Sequence, residues 1–313
     1  MAEHGTNDMN QTSDSSDKYE ELNRRMRKYT LRLGATVEAI LADIPDTRLR
    51  RLVAELAFAP SQALPKRALR PNFKLAYITE QFYDALLDRA DAAEAPEVPD
   101  AREAAEAPDD RRENLRRLVL TFHEGADMVD DLVDGDVRRG DELPVGLVVC
   151  TLANLSYRYA ARLGERAYRV YCQRQLDLPA AVLVEKQTPA TLERYLRSVD
   201  LQAALIIAPL EAAAVLSGQA AGGLPLAVRL GRSLYRYKQF STDMFQQDPD
   251  RNLNLNQFCT PEELVERLQA EHAALQQIIS ELPAGKGRDS LKLLFDVYVL
   301  STPAREESAS KSG

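Results

Sequence analysis

FHEGADMVDDLVDGDVRRG, residues 122–140, decides the reading of this chain. It carries Asp130, Asp131 and Asp134, followed by Arg138 and Arg139. An α-helix turns by about 100° per residue, so Asp130 and Asp134 share a face one turn apart, with Asp131 beside them. Carboxylates crowded in this way repel one another unless a cation sits between them. Oxygen-only donors at this spacing suit Mg²⁺, which takes one or two carboxylates and fills its shell with water and phosphate oxygens. The arginine pair can grip phosphate in a bidentate fork. The residues alone leave a second reading open: a solvated acidic helix end followed by an ordinary turn.

Upstream lies APSQALPKRALRPNFKLAYITEQFYDALL, from Ala59. Its prolines mark a loop that leads into a helix, with Pro71 suited to the first turn. Lys66, Arg67 and Arg70 form a small cationic cluster there. Either it is a solvated basic loop, or it binds phosphate with help from the backbone N–H groups of the helix start. Residues 90–112 are rich in Ala, Glu, Asp and Pro and read as a mobile insertion, because helical patterns resume on both sides.

Elsewhere the helical period dominates, and no convincing alternating run appears. Helices are expected over about Ser16–Ala42, Asp46–Phe58, Pro144–Gln173 and Leu226–Gln247. Further helices start at Thr188-Pro189 and Thr260-Pro261, and a last one spans Asp289–Val299. A bend is expected at Pro209 and a break at Gly222-Gly223-Pro225. Residues 1–17 and 303–313 read as disordered tails around one domain, 18–302. The fold class is therefore all-α: a single-domain bundle of about ten or more helices.

The formal net charge of −8 argues against general nucleic-acid binding. Three widely spaced cysteines show neither a metal motif nor a disulfide framework, which points to a reducing cytoplasm. The first residues lack the apolar core of a secretory signal. The most apolar stretch, Leu201–Leu216, is interrupted by Gln202, Pro209 and Glu211, and reads as a buried helix without a transmembrane segment.

Taken together, these residues resemble the trans-isoprenyl diphosphate synthase family of the class I terpenoid synthase superfamily. Leu69-Arg70-Pro71 matches the family's KRxRP motif, with Arg67 where the family has lysine. His123 precedes Asp130 at the family's spacing, DDLVD at 130–134 matches the first DDxxD in full, and Arg138-Arg139-Gly140 matches RRG after a gap one residue short. The order of motifs covers most of residues 20–300. The resemblance implies a central cavity between two Asp-rich helices. Mg²⁺ there assists ionisation of an allylic prenyl diphosphate, and isopentenyl diphosphate then adds to the cation. It assigns metal to Asp130, Asp131 and Asp134, the allylic diphosphate to Arg139, and isopentenyl diphosphate to Arg67, Arg70 and Arg138, with His123 orienting a phosphate. It also implies a homodimer, or a heterodimer with a related synthase. Small residues at Gly125 and Ala126 would admit products longer than C15.

The departures fall in the second half. Aligning Gly231 and Gln239 with the family sets Asp243 as the one survivor of the second DDxxD. It is expected as a further metal ligand, with Gln239 beside the substrate and Gln247 as a neutral donor. Asp248 lies about 140° around the helix from it. The family's Lys-Thr pair is replaced at Leu201-Gln202-Ala203, Glu185-Lys186-Gln187 is the trace of its GQ segment, and Arg236 or Lys238 could restore charge. The expected function is divergent prenyl chain elongation. The eroded second motif keeps two alternatives in view: a non-catalytic partner subunit, or a terpene cyclase-like enzyme.

Overall fold

The computed structural model describes residues 7–58, 71–90, 108–186, 191–245 and 254–297. Among them there is no strand. The helices are α1 (Asn7–Ala42), α2 (Thr47–Val53), α3 (Pro71–Ala90), α4 (Pro108–Asp134), α5 (Glu142–Arg162), α6 (Glu165–Gln175), α7 (Asp177–Glu185), α8 (Leu192–Gln202), α9 (Ala204–Leu216), α10 (Ala220–Phe245), α11 (Pro261–Glu281) and α12 (286–297). A π-helical turn, Ala54–Phe58, extends α2. Arg67, Arg70, Gln247 and Asp248 lie outside the described residues, as do most of the expected insertion and the C-terminal tail.

α4 is the central post. Two acids in its first turn, Asp109 and Asp110, favour its start against the helix dipole. From Leu118 to Gly125 every residue is buried, because α5, α3, α9 and α1 surround it. Arg116 reaches from α4 to Glu80 of α3 in a two-pronged contact at 2.8 and 2.6 Å. α9 is the most apolar helix and lies inside the bundle. Its one acid, Glu211, is answered by both nitrogens of the Arg174 fork at 2.7 and 2.8 Å, which offsets the cost of burying it. The run Leu192–Leu216 is long and apolar enough to cross a membrane by composition, yet it divides at Ala203, and 67% of its apolar window is buried in the bundle.

Four expectations about the helices change. α1 starts at Asn7, inside the stretch expected as a tail: once a helix exists, each added residue gains a hydrogen bond without a new nucleation cost. The long helix expected over Pro144–Gln173 is two, α5 and α6, parted at Gly164, whose φ of 105° an L-side chain rarely adopts. α7 was not expected at all. The break expected at Gly222-Gly223-Pro225 is absent, since α10 runs through it and the chain turns instead at Gly218 (φ 74°). Gly223 serves packing: a Cβ there would lie 2.9 Å from that of Ala214, so its absence lets α10 close on α9. Pro225 sits near the start of α10 and is exposed, where losing one backbone donor costs least.

Candidate functional site: an acid-rimmed cleft

Helices α4 to α10 ring a cleft of about 590 Å³. Its walls mix apolar side chains, Phe122, Val149, Leu178, Val182, Val199 and Leu205 among them, with polar ones such as Thr121, Ser156, Gln175 and Ser198. Tyr171 is buried in this wall. It is 1% exposed, donates to Ser156 Oγ at 2.7 Å, and meets the Phe122 ring edge-on at 5.4 Å. Gly125 and Ala126 both face the cleft.

The mouth is charged. Beyond Gly125, α4 leaves the core, and Asp127, Asp130 and Asp134 line the cleft while Asp131 stands just off it. These acids occupy the C-terminal end of the helix, where the dipole already presents partial negative charge, so the arrangement costs stability on its own. Burial, together with the charges of Asp127, Asp136 and Asp134, raises the Asp131 carboxyl above the ordinary aspartate value. A cation at this rim would relieve the crowding. Asp127 is not in the DDxxD pattern. Its spacing of three from Asp130 and seven from Asp134 is the signal that places it on the same face. Among the described residues no three His, Cys, Asp or Glu side chains already converge on a common point.

Across the mouth stand the end of α7, α8 and α10. Lys186 Nζ lies 3.3 Å from Asp134 Oδ1. Gln202 donates to Glu185 at 3.1 Å and accepts from the Tyr235 hydroxyl at 2.5 Å. Lys238, Gln239 and Thr242 complete the α10 wall.

Asp243, expected as a metal ligand, is engaged elsewhere. It is 1% exposed and does not line the cleft. Its Oδ2 accepts from the Tyr195 hydroxyl at 2.5 Å and from the Leu255 N–H at 3.0 Å, and its Oδ1 accepts from Gln239 Nε2 at 2.9 Å. The carboxylate thus staples the end of α10 to α8 and to the 3₁₀ turn Leu255–Gln257. An expected second acid wall is not formed by it, because three donors already occupy its oxygens.

His123 is placed behind the cleft wall. It is 2% exposed, its Nε2 has no hydrogen-bond partner, and burial, with a smaller contribution from the charge of Lys238, lowers its pKa to about 3. It is therefore neutral at pH 7. Arg138 and Arg139 are exposed on the loop after α4, and neither lines the cleft. Gln239 lines it, with its amide donated to Asp243.

With this geometry in view, the overall architecture has clear counterparts. A geranyltransferase from Legionella pneumophila superposes with a TM-score of 0.63 at 13% identity, covering 88% of this chain and 96% of its own. A geranyltranstransferase from Methanosarcina mazei gives 0.62 at 13%, covering 87% and 95%. A polyprenyl synthetase from Streptomyces coelicolor A3(2) gives 0.61 at 15%, covering 88% and 98%. The chain has the all-α isoprenoid synthase fold. At these identities the likeness fixes the fold alone, and the chemistry rests on the side chains in the cleft. No protein-family model and no curated protein matches the sequence.

Proposed function

We propose that the chain binds an allylic prenyl diphosphate in this cleft, tail inward and diphosphate at the mouth, and extends it with isopentenyl diphosphate in a Mg²⁺-dependent reaction. One observation carries the reading: Asp127, Asp130 and Asp134 rim a cleft whose walls include the apolar side chains of Phe122, Val149, Leu178, Val182, Val199 and Leu205. A ligand that satisfies both halves has a polyanionic head, bridged to carboxylates by a divalent ion, and a long hydrocarbon tail. The acid rim fits Mg²⁺ by donor type, and Asp130 and Asp134, with Asp131 or Asp127, would hold it. When bound, the ion neutralises charge developing on the departing diphosphate.

This chain's own residues supply the rest. Arg138 and Arg139 follow directly on the rim and offer forked donors to phosphate oxygens. Arg67 and Arg70 precede α3 and serve the second diphosphate. The apolar side chains in the walls keep water from the tail's end of the cleft, which protects an allylic cation from capture and strengthens electrostatic contacts there. Neutral His123 holds no charge that would repel such a cation.

The position of Asp243 supports a second reading, a non-catalytic subunit that binds the ligand but depends on a paired synthase for turnover. The deciding experiment incubates purified protein with Mg²⁺, isopentenyl diphosphate and allylic diphosphates of several lengths. Elongation that disappears in Asp130→Ala supports the first reading. Diphosphate release without elongation points to cyclase-like chemistry. Silence that is reversed by a co-purifying synthase supports the subunit role.

A further inference from the structure

Arginine forks elsewhere in the bundle meet a carboxylate with two nitrogens. Arg116 does so with Glu80 and Arg174 with Glu211. Arg229 grips Glu281 at 2.6 and 2.8 Å, and Arg236 grips Asp200 at 2.6 and 2.8 Å. Where the end of α1 meets α4 and α5, the ratio changes. Arg158, Arg117 and Arg162 approach one oxygen of one acid, Asp43 Oδ2, at 2.9, 3.6 and 3.8 Å. The Tyr159 hydroxyl donates to that same oxygen at 2.8 Å. The three guanidinium carbons lie 5.8, 5.9 and 5.7 Å from the centre of the Tyr159 ring, which is itself fully buried. Arg117 has a second carboxylate, Glu113, at 3.2 Å on its own helix. Among the described residues, Asp43 is the one carboxylate paired with Arg158 or Arg162.

One carboxylate cannot neutralise three guanidinium groups, and the C-terminal ends of α1 and α5 add only partial negative charge. Arg158 and Arg162, one turn apart on α5, repel each other. Their side chains are 45% and 38% exposed, so a solute can reach them. The ring of Tyr159 holds the three cations around a common point. This gathering of positive charge sits in a chain of net charge −8. None of its members lines the cleft. We propose that Arg117, Arg158 and Arg162 form a second anion site, about 20 Å along α4 from the acid rim, that takes a phosphate or diphosphate group beside Asp43. Forked donors converging from two helices suit the oxygens of such a group. The site is independent of the elongation reading.

The test is calorimetric titration of the full chain with inorganic pyrophosphate in EDTA, which keeps metal off the acid rim. Saturable binding is expected. Arg158→Gln and Arg162→Gln should each weaken it about ten- to a hundredfold, as for loss of a charge-assisted hydrogen bond. Arg162→Lys, which keeps the charge without the fork, should restore part of it. Asp43→Asn leaves an acceptor for Tyr159 and removes the competing charge, so it should tighten binding up to about fivefold. A folding defect cannot imitate that gain. Lys286→Gln, exposed at the start of α12, should leave binding unchanged. Co-sedimentation with phosphatidylcholine vesicles, with and without phosphatidylglycerol, separates two sources of the phosphate group. Retention on the anionic vesicles that Arg158→Gln abolishes points to a lipid headgroup, and pyrophosphate binding without retention points to a free anion. A cluster that only ties α1 to α5 predicts otherwise: the variants would shift the thermal midpoint and leave the isotherm as it was. Parent-like binding by both arginine-to-glutamine variants, or neither saturable pyrophosphate binding nor vesicle retention, overturns the proposal.

Discussion

Replacing Asp243 with alanine separates a structural carboxylate from a metal-binding one. In the structure its removal strands two buried donors, the Tyr195 hydroxyl and the Leu255 N–H, on residues 2% and 0% exposed. Each orphaned donor costs about 1–3 kcal/mol. The third donor, Gln239, lines the cleft and can turn to water, so it adds little. The expected loss is about 4 kcal/mol, a large share of the roughly 5–15 kcal/mol that holds a typical domain folded. Asp243→Asn keeps an acceptor but loses the charge, which roughly halves each hydrogen bond, so about 1–2 kcal/mol should go. Urea unfolding in EDTA, followed by tyrosine fluorescence, measures both. A ligand whose main task is a divalent ion behaves in the opposite way: without metal, its removal relieves charge and leaves the midpoint unchanged or raised. An Asp243→Ala midpoint within about 1 kcal/mol of the parent in EDTA, together with a lost response to Mg²⁺, would refute the staple.

Acid should destabilise the chain partly through His123. Its folded pKa of about 3 lies below the unfolded value of about 6.5, so the unfolded state takes up a proton first as pH drops. Stability due to its neutrality is complete above about pH 6.5 and declines by up to about 1.4 kcal/mol per unit toward pH 3. His123→Gln should flatten the stability profile between pH 6 and 4, and an unaltered slope would contradict this. Arg116→Ala leaves Glu80, 3% exposed, without its forked partner and should cost about 3 kcal/mol at pH 7. Burial by itself would raise the Glu80 carboxyl, and Arg116 brings it below the ordinary value. The deficit of the variant should therefore shrink as pH falls toward 4, where Glu80 can protonate.

Much of this molecule can be read from the sequence, and the parts that cannot have a common cause. The helical period, the scarcity of alternating runs and the caps at Asp46 and Thr260 mark the bundle, because those signals are local. Asp46 accepts from two backbone N–H groups, and Thr260 with Glu263 forms a reciprocal box. The acid rim is equally legible, including Asp127, once facing positions are counted. Gly222-Gly223-Pro225 misleads because glycine has two uses, and only the partner helix shows that Gly223 is spent on close packing. Conversely, Leu163-Gly164 is weak punctuation that turns the chain. The fate of Asp243 depends on Tyr195 and Leu255, which are 48 and 12 residues away. A motif alignment asks whether the carboxylate is present. It does not ask who has already claimed it.

Lys186 poses the same question at the rim, and there the answer is measurable. Its ammonium lies 3.3 Å from Asp134, with the two side chains 45% and 38% exposed. The lysine thus occupies part of the negative field that a divalent ion would use. On the proposed reading it neutralises a carboxylate when no metal is bound and would yield to the ion. A half-exposed pair of this kind contributes up to about 1 kcal/mol, so Lys186→Ala should tighten Mg²⁺ binding by up to about fivefold. The gain should fade between about 0.05 and 0.5 M salt, where screening weakens the pair it removes. A magnesium titration by calorimetry at two ionic strengths is sufficient. Weaker binding in Lys186→Ala would mean that the lysine helps to assemble the rim rather than competing for it. That would in turn require Asp134 to face the ion only when Lys186 holds it in place.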